Sequence, residues 1–249
     1  MSHTNESGTP VLLLLLAVGC FVLFAGFALP TLSPKSSTVP ASLGLFQSVA
    51  LQPVLHYLSF DSEHAFSEKN GVDHIPGIVG TAVSLDGQND YIDLGSLELQ
   101  TGRTFAVSLW YRSKDGEGWI FSEGNTEENI SVCGLMVQSD TTEVLCRTGT
   151  HPDAKSVVRG VTNINDEAWH FIVFQGEGEQ LSVYVDGGLD ARVAMPSGRL
   201  FVNTTTIGGI QKKKSEGWIA MDIDEVALFD QPLSMDEMQA LYTISTPIE

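Results

Sequence analysis

Near the C-terminus the stretch Met221–Val226 reads MDIDEV and carries three carboxylates within four positions. Paired carboxylates are the working groups of glycoside hydrolysis. Retaining chemistry needs two of them about 5–5.5 Å apart, flanking the scissile bond. In a regular strand Asp222 and Asp224 project from one face and Glu225 from the other. The chain has no Gly-x-Ser-x-Gly elbow, no HExxH and no CxxC pair. Asp61 with His64, and Asp73 with His74, lack ligand spacing and read as solvated loop residues. The sequence therefore predicts no catalytic residue and no enzyme.

Three other sets of residues could do something short of catalysis. The DGQND turn, with Asp86 and Asp90, is rich in oxygen donors. Calcium takes six to eight of these, but Asp and Asn also shape turns simply by bonding their own backbone. Trp119 and Trp218 each follow a Glu-Gly pair. They should begin strands beside loops, where an exposed ring stacks on a sugar. Trp110 and Trp169 lie within alternating strands and read as core. Cys133 and Cys146 flank a turn-like QSDTT. If Ser139-Asp140 is a two-residue hairpin loop, each cysteine stands six residues out from it and the two are directly opposite. They then occupy a non-hydrogen-bonded pair, where Cα atoms approach to about 4.5 Å, within the reach of a disulfide. Two small buried thiols are the alternative.

The elements that position these residues follow from the texture of the chain. Among 249 residues, 13 are basic and 31 acidic, a formal net charge of −18. Nucleic acid is excluded as a partner, because phosphate binding needs clustered Lys and Arg. The one basic run, Lys212–Lys214, lies among turn-like residues and reads as a loop tip. Residues 11–29 contain no charge and are long enough to span a bilayer. Segment 1–30 is thus a membrane anchor or a cleaved signal, and residues 31–50 form a Ser/Pro-rich stalk. Lys35 alone votes for a cytoplasmic C-terminal side, whereas a disulfide would place the domain outside the cytoplasm. From residue 51 to 245 short strand-like runs recur without a long amphipathic helix between them. TFAVSLWYRS alternates, with Phe105, Val107, Leu109 and Tyr111 on one face. This spacing predicts an all-β antiparallel sandwich. One short helix closes it, with Ser234 as N-cap and Glu237 completing a capping box.

The ordered set of motifs resembles a known family. HYLSFD, GIVGTAVSLDGQNDYIDLG, FAVSLWYR, WHFIVF, LSVYVDG and IDEVALFDQPLSMDEMQALY are similar to the successive strands and terminal helix of laminin-G-like jelly-roll domains. These belong to the concanavalin-A-like lectin/glucanase superfamily. The resemblance implies a two-sheet jelly roll. It also implies a structural calcium tying the first strand to the last, at positions matched here by Asp61 and Asp224, with the turn of Asp90 a second oxygen-rich place. Hydrolases of the superfamily carry Glu at both ends of a mid-chain motif, unlike MDIDEV. The expected function is non-catalytic recognition of a glycan or surface protein by a membrane-anchored or secreted module. A structural or assembly component without a small ligand is the alternative, and a glycoside hydrolase a distant third.

Overall fold

The computed structural model describes residues 53–61, 67–129, 132–149 and 155–245. The apolar segment 11–29, the stalk 31–50 and His64 lie outside the described residues. Among the described residues no helix is long and apolar enough to cross a membrane.

Strands follow one another in short lengths. The first are β1 (His56–Leu58), β2 (Ser67–Lys69), β3 (Asp73–Pro76), β4 (Thr81–Asp86) and β5 (Tyr91–Asp93). A 3₁₀ turn, Leu99–Gly102, leads to β6 (Thr104–Arg112), β7 (Gly118–Gly124), β8 (Val132–Gln138), β9 (Thr141–Arg147) and β10 (Lys155–Asn163). The last are β11 (His170–Glu177), β12 (Gln180–Val185), β13 (Gly188–Ala194), β14 (Thr204–Ile207) and β15 (Ala220–Phe229), before helix α1 (Met235–Ser245). They build two antiparallel sheets, ordered β13-β12-β11-β6-β15-β4-β3 and β10-β9-β8-β7-β14-β5-β2. β15 has two partners along one edge: β4 pairs with Ala220–Ile223, and β1 with Val226–Leu228. The expected two-sheet sandwich is the observed fold.

Alternation in β6 decides what goes where. Phe105, Val107, Leu109 and Tyr111 point into the core between the sheets. Trp110 points to the opposite face and packs with Phe171, Val173 and Phe229. Helix α1 covers that second cluster with Met238 and Leu241, and Tyr242 stacks on Trp110 at 5.6 Å. Each such fully buried apolar side chain contributes roughly 1.5–3 kcal/mol. The helix starts as its capping box dictates. The Glu237 N–H donates to Ser234 Oγ (3.3 Å), and the Ser234 N–H donates to the Glu237 carboxylate (2.8 Å). Trp169 departs from its expected core position. It is half-buried at the margin of the outer cluster, with the Arg112 guanidinium 4.5 Å above its ring.

Two hairpins fix the registers around the site. Ser139 (φ 53°) and Asp140 (φ 64°) form the two-residue loop between β8 and β9, with Gln138 opposite Thr141. Positive φ at both positions is the twist-compatible geometry for such a loop. Cys133 therefore faces Cys146, and the two form a disulfide with Cα atoms 4.0 Å apart. Asp186 and Gly187 (φ 50° and 81°) turn β12 into β13 in the same way. The Asp186 carboxylate also accepts from His170 Nδ1 (2.8 Å), while Asp166 accepts from Nε2 (3.0 Å). Those two carboxylates, Asp186 first, hold the His170 pKa above its usual value against the effect of burial. His170 is thus a buried clasp between β11 and the following hairpin.

Candidate functional site

The alternation of β15 slips once. Met221 and Ile223 face the core, and so do Val226 and Leu228, so one extra residue lies between the two pairs. The pairing with β6 shifts between Asp224 and Ala227, and Glu225 has a φ of 51°. This is a β-bulge. It overturns the expectation that Glu225 faces away from Asp224, because both side chains now lie on the outer side of the sheet. The sequence carried no signal for it, since no glycine marks the left-handed position.

Both carboxylates are fully buried. Asp224 Oδ2 accepts the N–H groups of Ile78 (2.9 Å) and Val79 (3.2 Å), and Oδ1 accepts that of Glu225 (2.8 Å). Asp61, exposed at the end of β1, accepts the N–H of Thr81 (2.8 Å). The two aspartates thus grip the turn 77–80 from either end. Gly77 and Gly80 are needed there: a Cβ at Gly77 would stand 2.3 Å from Asp224 Oδ2, and one at Gly80 would stand 2.1 Å from Asp61 Oδ1. Tyr57 on β1 donates its hydroxyl to Glu225 Oε2, while Oε1 is buried without a partner. Desolvation, with Asp61 adding repulsion, pushes Asp224 up to about 7. Desolvation, opposed by the Tyr57 bond and reinforced by Asp224, pushes Glu225 up to about 8.

This turn gathers several carboxylates in one place. It offers adjacent carboxylates, an orphaned oxygen and, among the described residues, no ion pair to Asp61, Asp224 or Glu225. No three His, Cys, Asp or Glu side chains among the described residues stand in ligating geometry. A calcium ion bound beside this turn would have to draw most of its six to eight oxygens from carbonyl groups and water. Asp90 belongs elsewhere. Its carboxylate caps its own turn by accepting the Asp86 N–H (3.2 Å), and Asp86 accepts that of Gln88 (2.8 Å). Its charged neighbours are Asp86 and Asp73, not Asp224, so the turn-shaping role accounts for it.

The two tryptophans expected at loops are brought together, but not as a platform. The Trp119 N–H donates to Gly217 O (2.9 Å), one residue from Trp218. Trp119 is only 7% exposed and packs with Val132 and Ile210 on the outer face of the second sheet. The segment 210–217 folds over it, so the ring is walled off from a sugar. Trp218 is half-buried and tilts against Tyr91, with centroids 5.5 Å apart. Replacing Trp119 by Ala should cost about 3–5 kcal/mol, as for other buried aromatics. The midpoint of denaturant unfolding reads this directly. Unchanged stability in that variant would return Trp119 to the surface and to ligand binding.

With this geometry, residues 86–239 match the family model for laminin G domains of the concanavalin A-like lectin/glucanases superfamily. The chain belongs to that superfamily. No curated sequence matches it. Solved structures share the fold at low identity. Domain 4 of AbnA, a GH43 extracellular arabinanase from Geobacillus stearothermophilus solved with arabinotriose, is 16% identical with a TM-score of 0.58. That match covers 76% of this chain and 97% of the domain. The binding domain of Paraclostridial Mosquitocidal Protein 1 is 13% identical, TM-score 0.57, over 71% of this chain and 46% of that one. The binding domain of Botulinum Neurotoxin DC, solved with SialylT, is 14% identical, TM-score 0.55, over 73% and 46%. The chain thus spans about half the length of these toxin binding domains, and nearly all of the arabinanase domain. Superfamily membership accounts for the sandwich; what the chain does is a separate question.

Proposed function

We propose that this protein is a non-catalytic glycan-recognition module, stabilised by calcium and working outside the cytoplasm. The observation that carries the reading is the full burial of Asp224 and Glu225. Two neighbouring carboxylates would otherwise suggest a hydrolase. Here they are locked by backbone N–H groups and Tyr57 and cannot straddle a glycosidic bond. Three fold neighbours support the binding role: arabinotriose is bound in one, SialylT in a second, and the third is the binding domain of a mosquitocidal protein. The disulfide supports an oxidising compartment, and residues 11–29 would hold the module at a membrane.

Binding of the full-length chain to an array of oligosaccharides, with and without calcium, tests this. Saturable binding without release of reducing ends is the expected result. Release of reducing sugar would make the protein an enzyme, and no binding at all would remove the glycan reading. A structural role, the second reading, is favoured by Val157, Val161 and Leu189, exposed by 43%, 84% and 52% on the terminal strands β10 and β13. These two strands already bond each other, Val161 and Thr162 N–H donating to Asp190 (3.0 and 2.9 Å), so a partner would meet the exposed apolar side chains and not open backbone.

A further inference from the structure

One end of the sandwich holds a pair of adjoining hollows that the carboxylate cluster does not reach. The first, of about 440 Å³, is lined by Glu98, Gln100, Thr101, Arg103, Arg199 and Leu200, with Gly198 at its rim. The second, of about 700 Å³, shares Arg103 and Gly198 and continues past Glu179 and Gln180 to Met195. Arg103 forms the partition. Its guanidinium donates to Pro196 O (3.2 Å) and Gly198 O (3.1 Å), which fixes the loop after β13 against the 3₁₀ turn. Sites for small ligands fall in the range of about 300–1,000 Å³.

Three features show that this end is built rather than merely open. Glu98 (φ 53°) and Arg103 (φ 62°) flank the 3₁₀ turn in the left-handed region, and neither is glycine. Such residues persist only where their surroundings over-determine them, and they gather at ligand sites. The turn between them is pinned from below. The buried Glu123 carboxylate accepts the N–H groups of Leu99 and Gln100 (both 2.8 Å) and the hydroxyl of Thr205 (3.1 Å). Finally, Gln100 is completely buried, its Nε2 donates to Cys133 O (2.9 Å), and its Oε1 has no partner. That oxygen has no exposed surface, so Gln100 props the turn from beneath and does not itself meet a ligand.

The lining also selects a ligand class. Glu98 and Glu179 balance Arg103 and Arg199, so neither sign of ion is favoured locally. The whole chain, at −18, repels polyanions. Carboxylates, guanidinium groups, an amide and hydroxyls over a small apolar floor match a molecule whose hydroxyls both donate and accept. Beside the first hollow the Arg199 guanidinium lies 5.3 Å from the ring of Phe201, which is 43% exposed. We infer that these joined hollows are the binding site for a short neutral oligosaccharide, an assignment that rests on the glycan-recognition reading and gives it a location.

The test uses full-length protein carrying Arg199→Ala or Glu98→Gln, both exposed side chains, and an array of neutral and uronate-containing di- to tetrasaccharides. Affinity for the neutral probe bound by the wild type should fall about tenfold or more in each variant, the loss of one hydrogen bond to a charged group. The melting temperature should be unchanged. Undiminished binding in both variants, or loss only in Trp218→Ala, would overturn this location while leaving glycan recognition standing. Preference for uronate-containing probes would overturn the neutral class. No binding by the wild type would end both readings.

Discussion

Calcium should raise the melting temperature of this protein at pH 8, and the Asp61→Asn variant should lose the rise. A cation bound only by the folded state stabilises it by mass action, by about 2.7 kcal/mol at a hundredfold excess over its Kd. Asp61 is the variant of choice because it is exposed, whereas Asp224 also organises the turn 77–80. Without calcium the same cluster should make the protein sensitive to alkali. Asp224 and Glu225 have folded pKa values raised to about 7 and about 8, against roughly 4 in an unfolded chain. Between those limits the folded state holds more protons than the unfolded one. Stability is therefore fully present below the unfolded value and is lost as pH rises towards 8. His170, also raised, pulls in the same direction near neutrality. In EDTA the melting temperature should fall from pH 5 to pH 8. Glu225→Gln should raise it far more at pH 8 than at pH 5. An EDTA-insensitive, pH-independent melting curve would remove the cation from this account.

Loss of the disulfide should have an effect of similar size. The bridge closes a loop between residues 13 apart in sequence, which the chain-entropy model values at about 3 kcal/mol. Both cysteines are fully buried in the main core, so a Cys133→Ala/Cys146→Ala pair also loses two sulfurs from a packed interior. For a domain of this size 1 kcal/mol moves the melting temperature by about 2–4 °C, and a fall of about 6–12 °C is expected. Mass spectrometry of protein from its native envelope should find no alkylatable thiol at either position. Two free thiols there would dismiss both the bridge and the argument for an oxidising compartment.

The parts of this molecule that were legible in its sequence are those governed by local rules. The period of β6 gave both faces of its sheet. The capping box gave the start of α1, and counting outward from Ser139-Asp140 gave the facing cysteines. Family resemblance singled out Asp61 and Asp224 as calcium ligands; what the structure adds is that both bond the backbone around the turn 77–80. What could not be read depends on contacts between distant segments. The bulge at Glu225 is enforced where β4 and β1 take successive halves of β15, and nothing in DIDE announces it. Trp119 looked like a strand-entry residue, as it is, but the segment that covers it arrives some 90 positions later in the chain. The hollows at the sandwich end join residues 98–104, 178–180 and 194–200, a set with no common motif. The two left-handed residues there are Glu and Arg, types that carry no turn signal.

The position of β15 also bears on how the protein is made. It is the last strand in sequence, yet it sits between β6 and β4 and supports β1. Until Phe229 has been synthesised, the first sheet is three separate pieces: β13-β12-β11-β6, β4-β3 and β1. Contacts between chain ends this distant form slowly, so the domain is committed to folding after synthesis of nearly its whole length rather than during it. A chain that emerges on the far side of a membrane meets that requirement naturally.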